Sequence, residues 1–512
     1  MNRWKSAAAV AVAAALALTG CSGGAKSTSS AGTGSTSGGT LTLGLIAQAT
    51  TFSAADINWA NEAPYGQAVF DGLLRANPDG TIVPWLAASY SYDTALTKLT
   101  MKLRTDVKFT DGTAFDADVA AQNIKRFRDG ASPNKSLLAQ VSDAKAVDPA
   151  TLEIDLKAPD PALVTALTQN AGLMESPKAF TAADIKTNPV GSGPYTLDTK
   201  ATVPGSSYTF NKNATYWAKD TVKYDKLVLK VFSDTTSMLN AIKGGQVNGA
   251  NLTDNSLVDQ VKATGYTINP QELDWTGLII LDRDGKLAKP LADPKVRQAM
   301  SYAFDRTALL KAIDKGYGTV TEQILPKSSP GYDAALDSTY TYDTAKAKAL
   351  LAEAGYPNGF ELSMPSSTLI PSSTWSIISS QLKDVGITVK YTDAGNNFIS
   401  DMLAAKYPAT WMRLQQDPTD WQIFNFEIAP SAVFNPFKAS DDKVNAWGKT
   451  LQTGSAADAG AASKAMNAYI VQNAWFIPWY RVQSSFATDA KTTVKVQVGN
   501  AYPYLWNFAP KS

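Results

Sequence analysis

The chain of 512 residues has no histidine and only one cysteine, Cys21. Without histidine the commonest general base is missing, and Ser-His-Asp triads, Cys-His pairs, histidine-held zinc and HExxH sites are excluded. Catalysis would have to run on carboxylates or lysine alone. A lone cysteine leaves no disulfide within the molecule. Excess charge of either sign is also lacking: 47 Lys and Arg stand against 46 Asp and Glu. Nothing in that balance points to nucleic acid or to an acidic surface. Past Leu18 no apolar run approaches the roughly 20 residues that a membrane-spanning helix needs, and no repeat of fixed period is found. If this protein helps a solute across a membrane, another chain supplies the channel.

What is present starts with an export pattern. Arg3 and Lys5 form a short positive region, and Ala7 to Leu18 is an uncharged run too short to span a bilayer. Leu18-Thr19-Gly20-Cys21 follows and resembles the bacterial lipobox. That resemblance implies a signal peptide over residues 1–20 and more than one acyl chain on Cys21, since a single chain binds membranes only marginally. Ser22 to Thr40 is almost all Ser, Gly, Thr and Ala. It cannot bury enough apolar surface to order itself and reads as a tether spanning roughly 25 Å. The expected location is the outer face of the bacterial cytoplasmic membrane, lipid-anchored and extracytoplasmic.

From Leu41 onward the pattern is α/β. Leu41–Ile46, Leu99–Leu103, Thr151–Leu156, Leu227–Phe232, Thr276–Leu281 and Ile387–Tyr391 read as strands. Asp293-Pro294 opens a helix whose apolar positions Val296, Met300, Ala303, Phe304, Leu310 and Ile313 keep three- and four-residue spacing. A second helix covers Asp343 to Ala354, with Leu350 and Leu351 inward and Gly355 ending it.

Four segments in order resemble the family of extracellular solute-binding proteins that includes dipeptide- and oligopeptide-binding proteins. They are VFDGLLRANPDGTIVPWLAASY with LRTDVKFTDGTAFDADV inside Tyr65–Phe127, NPVGSGPY with NATYW, SMLNAIKGGQV, and DPKVRQAMSYAFDR followed by YDTAKAKALLAEAG. The third departs from the family in having Asn248 where an acidic residue is usual. The resemblance implies a two-lobed, periplasmic-binding-protein-like (type II) fold with a hinge. Lobe one would comprise residues 41–270 plus 483–512, with 65–189 as an extra subdomain, and lobe two residues 271–482. Closure of the lobes would enclose a peptide, an oligopeptide rather than a free dipeptide, for an ABC permease and ATPase. An oligosaccharide or another solute is the alternative ligand. The protein is expected to be a monomer without cofactor or metal.

Site residues follow from the same resemblance. Gln48–Phe52, Asp274–Gly277 and Trp411–Asp417 lie where family members approach their ligand, which nominates Thr51, Phe52, Trp275, Thr276, Trp411, Leu414, Gln415 and Asp417. Dipeptide-binding relatives pair the ligand amine with an aspartate in the last segment. Here Leu414 falls at that position with Gln415 beside it, so the clamp is missing unless Asp417 supplies it. A buried ammonium without a carboxylate costs several kcal/mol, which argues against a free dipeptide.

Other features read as structure. Trp275, Trp411, Trp421, Trp475 and Trp479 could stack ligands, but each alone is more often core. Trp85 and Trp217 are read as structural, and Gly191-Ser192-Gly193-Pro194 as a turn rather than a phosphate loop. A hydrolase would draw on Ser142–Lys145 or Ser440–Lys443, both S-x-x-K, yet the KTG and SDN partner motifs are absent. Asp116 with Asp118 reads as a helix start, and Asp441 with Asp442 as a solvated turn. The protein is therefore expected to be no enzyme.

Overall fold

A computed structural model describes residues 38–368 and 370–511. The expected signal peptide, Cys21 and all but the last residues of the tether lie outside the described residues. Among the described residues no helix is long and apolar enough to cross a membrane.

A nine-stranded sheet organises the chain. Its strands are β1 (Thr40–Leu45), β2 (Tyr195–Leu197), β3 (Ser207–Lys212), β4 (Lys226–Val231), β5 (Gly249–Leu252), β6 (Thr267–Ile280), β7 (Gly318–Val320), β8 (Ala409–Gln415) and β9 (Phe476–Thr488). Their spatial order is β2-β3-β4-β1-β5-β9-β6-β8, with β7 also on β9. β1 runs parallel to β4 and β5, and the other pairs are antiparallel. β6 and β9, 14 and 13 residues long, pair along most of their length. One end of that pair lies beside β5 and the other beside β8 and β7. The expected lobe boundaries at 270/271 and 482/483 fall inside this pair. A separate four-stranded sheet is formed by Ala87–Tyr92, Lys98–Leu103, Thr151–Leu156 and Val141–Asp148.

Burial follows this division. One apolar cluster draws on residues between Trp275 and Val482. A second joins β1, β3 and β4 to the C-terminal residues Tyr502, Tyr504 and Phe508. A third fills the four-stranded sheet and helix Ala117–Asp129, and a fourth sits around Met238–Tyr266.

All six expected strands are present, with ends shifted by a residue or two except at Thr276–Leu281, which belongs to the much longer β6. The helix expected to run unbroken from Asp293 is two helices, Pro294–Tyr302 and Arg306–Asp314. Phe304 is fully buried against Trp479, and Asp305 turns its carboxylate to the Ala308 N–H, so a second cap interrupts the apolar spacing. Helix Thr344–Glu353 is as expected: Asp343 caps it, Leu351 is buried, and Leu350 packs half-buried. Asp441 corrects another expectation, since it accepts from Lys443 and Val444 N–H and starts a helix instead of a solvated turn.

Several of the family-like segments of the first half meet at one carboxylate. Asp71 Oδ1 accepts from Trp85 Nε1 (2.7 Å) and the Tyr216 hydroxyl (2.8 Å), and Oδ2 from Trp217 Nε1 (2.9 Å) and Ser192 Oγ (3.1 Å). The Arg75 guanidinium lies 3.5 Å from Oδ1, over the ring of Trp85 and near that of Trp506. Gly191 and Gly193 let this turn press on Val69, whose backbone a Cβ at either position would meet below 3 Å. The glycine-rich loop is thus a packing device.

Candidate functional site

Beside the middle of β6 lies a cavity of about 520 Å3. Its walls come from Asn251–Asn255 at the end of β5, from Gln483 and Ser484 of β9, from Asp274 of β6, from Asp314, and from Trp411 and Arg413 of β8. A second cavity of about 280 Å3 is lined by Gln271–Leu273, Pro326–Ser328, Gln416–Pro418 and the C-terminal residues Val496, Val498 and Gly499. Leu273 borders both. Volumes of this order hold small ligands.

Strand parity selects the lining side chains. Along β8, Trp411, Arg413 and Gln415 are at least partly exposed, whereas Met412 and Leu414 are buried. Side chains alternate between faces, so Leu414 enters the core and Arg413 enters the cavity. Leu414, placed at the ligand by resemblance, is corrected to a core residue on this ground. Trp275, its neighbour on β6, is corrected likewise: it is fully buried, edge-on to Phe476, with its indole N–H 3.5 Å from Glu427 Oε1. Thr276 is also buried and donates across to the Met412 carbonyl (3.1 Å). Phe52 is packed among Tyr65, Tyr208 and Phe210, and Thr51 Oγ1 accepts from the Ser53 N–H. Neither lines these two cavities. Of the nominated residues, Trp411 lines the larger cavity and Asp417 the smaller. Gln415 donates to the Gly499 carbonyl (2.9 Å), a tie that Gln271 to Asn500 (2.8 Å) repeats nearby.

Residues not nominated supply the charge. Asp314 Oδ2 accepts from Arg413 Nη2 (2.8 Å) and the Tyr480 hydroxyl (2.7 Å). Burial, and then the Asp314 charge, push the Tyr480 hydroxyl up. Burial raises the Asp274 carboxyl, with Arg413 opposing and Asp314 adding to the shift. Burial alone lifts Asp417 to about 6. Behind it Glu427 is fully buried and held well above the usual carboxylate range by burial and the Asp417 charge, and its Oε2 has no partner. The alternation in WMRLQ carried the signal for Arg413. Asp314 ends a helix about a hundred residues earlier, and no local pattern marks it.

The S-x-x-K serines and lysines stand apart from both cavities. Ser142 donates to the Asp155 carbonyl, and Lys145 pairs with Glu153 (2.7 Å) and Asp155 (2.9 Å) on the outer sheet. Ser440 accepts from Asn445. Among the described residues no three His, Cys, Asp or Glu side chains gather as a metal-binding group.

A sequence profile described as bacterial extracellular solute-binding proteins, family 5, middle part, matches residues 81–435. The chain belongs to that family, and it is a solute-binding protein by class. The glutathione-binding protein GsiB of Escherichia coli K12 is 28% identical over 452 residues, covering 84% of this chain and 86% of that protein. HbpA2 from Haemophilus parasuis shares the fold with a TM-score of 0.82 at 21% identity, over 93% of this chain and 100% of that one. The ABC transporter-associated periplasmic binding protein DppA from Helicobacter pylori, in complex with the peptide STSA, matches with a TM-score of 0.72 at 19% identity, over 93% and 99%. The fold is that of type II periplasmic binding proteins.

Proposed function

We propose that this protein captures a peptide in the larger cavity and hands it to the permease and ATPase of an ABC importer. The observation that carries the reading is the cavity itself, of about 520 Å3, lined by residues of β5, β6 and β9 and by the charged residues Arg413, Asp314 and Asp274. Peptides bind through main-chain hydrogen bonds with pockets for side chains. The peptide held by DppA and the glutathione named for GsiB, both peptides, support this class of ligand. The oligosaccharide reading loses ground because Trp275, Trp475 and Trp479 are core residues and only Trp411 of the five reaches the larger cavity.

The β6–β9 pair is the hinge in this reading, with residues 41–270 plus 483–512 as one lobe and 271–482 as the other. Closure brings Asn251–Asn255 and Arg413 to the same ligand, so binding and closure are coupled. Cys21 is the lipid anchor, and the body works as a monomer at the outer face of the cytoplasmic membrane. A thermal-shift screen of the purified chain against di- to octapeptides and oligosaccharides tests the ligand class, since a ligand bound only by the folded state raises its stability. Peptide-dependent stabilisation is expected, and a response to sugars alone would refute it. Release from membranes on Cys21→Ala checks the anchor.

A further inference from the structure

The charges around the two cavities are unevenly spent. Their cations are Arg413 and Lys327, and both are already engaged: Arg413 with Asp314 at 2.8 Å and Lys327 with Glu272 at 3.2 Å. Asp254 caps a turn through the Ser256 N–H (2.8 Å). Asp274 and Asp417, both half-buried, have neither an ion pair nor a side-chain hydrogen bond among the described residues, and the one positive charge acting on Asp274 from nearby is that of Arg413.

Leu273 borders both cavities, and the two carboxylates fall on either side of it, Asp274 in the larger cavity and Asp417 in the smaller. The register of β6 against β9 shifts between Glu272 and Asp274, so Leu273 is the extra residue of a bulge. Bulges re-aim the side chains beside them. Asp274 pairs with Gln415, and the next rung is closed by the Gln416 N–H on the Leu273 carbonyl at 2.9 Å. Asp417 follows directly. A carboxylate largely held out of water without a partner is unfavourable, and one such group in each of two adjoining cavities makes this cleft region a receptor for positive charge. A net-anionic solute would instead add like charge where water is scarce, which is how a site rejects a ligand.

We infer that the cleft selects solutes of net positive charge, with Asp274 and Asp417 receiving the cation, so that a basic peptide is the preferred cargo. The word peptide rests on the function proposed above; the charge preference rests on the cleft alone. It sets this chain apart from a glutathione receptor, whose ligand is net anionic.

The test is calorimetric titration of the full-length chain with trilysine, trialanine, triglutamate, glutathione and spermidine, at low and high salt. Trilysine is expected to bind at least about tenfold more tightly than trialanine, with triglutamate and glutathione weakest. The trilysine advantage shrinks with added salt, and it falls about tenfold in Asp274→Asn or Asp417→Asn. Both variants remove an unpaired charge, and unchanged or higher melting temperatures show that they fold. Tripeptides binding irrespective of charge, or glutathione binding more tightly than trilysine, overturn the charge preference and leave the peptide reading standing. Spermidine binding without any tripeptide sinks the peptide reading and supports the charge preference. Binding of neither refutes both.

Discussion

Asp71 in the first half of the chain receives four hydrogen bonds and a guanidinium, whereas Asp274 in the cleft has no side-chain hydrogen bond or ion pair among the described residues. The sequence words around Asp71 (FDGLL, PWLAAS, GSGPY, NATYW) exist to satisfy that one carboxylate. Trp85, Ser192, and the adjacent Tyr216 and Trp217 come from three separate segments to do so. The words around Asp274 and Asp417 contribute no such donors. A buried polar group completely satisfied builds structure, and one left unsatisfied beside a cavity is available to a ligand.

That contrast makes ordered predictions. Asp71→Ala strands Arg75 and four donors, two of them buried, and is expected to cost about 3 to 5 kcal/mol in urea unfolding, the range for breaking a buried pair. A smaller loss there than at Asp274→Ala would erase the distinction. Leu414→Ala is expected to cost about 2 to 4 kcal/mol with ligand affinity unchanged, because it opens a core cavity. Arg413→Ala, one residue earlier and on the other face, is expected to change affinity in titrations and stability much less. Gly193→Ala forces a Cβ to 2.4 Å from the Val69 carbonyl carbon. Overpacking of this kind costs about 1 to 3 kcal/mol, read from the same unfolding curves.

The smallest effect is a pH slope. Burial lifts Asp417 from 3.8 to about 6, so the folded protein holds that proton more tightly than the unfolded chain does. Stability is therefore lost as pH rises from 3.8 through 6. After allowance for partial exposure the loss is about 1 kcal/mol. Asp417→Asn is expected to flatten that part of the stability curve and to stabilise the ligand-free protein at pH 7. An unaltered slope would show that Asp417 is better solvated than its surroundings indicate.

Much of this architecture was legible in the amino acids, and the losses have identifiable causes. β1, the strand at Thr151–Leu156 and the helix beginning at Asp343 announced themselves through local pattern. The break at Asp305 did not, because Phe304 and Leu310 keep helical spacing across it, while the deciding contact, Trp479, lies far along the chain. At the candidate site, resemblance pointed to the segment of β8 and nominated Leu414, but the two-residue period turns Trp411 and Arg413 toward the larger cavity. Gln483 and Ser484 join them through the pairing of β6 with β9, two elements about 200 residues apart, and Asp314 through its bonds to Arg413 and Tyr480, none of which a local reading anticipates.

The account's central claim is that a solute sits between Asp274, Asp417 and Arg413 without being altered. A crystal structure of the protein grown with trilysine tests it most directly. The account predicts intact tripeptide across the β6–β8 edge with ammonium groups on Asp274 or Asp417. An empty cleft with the peptide bound elsewhere, or a cleaved peptide in it, would contradict it.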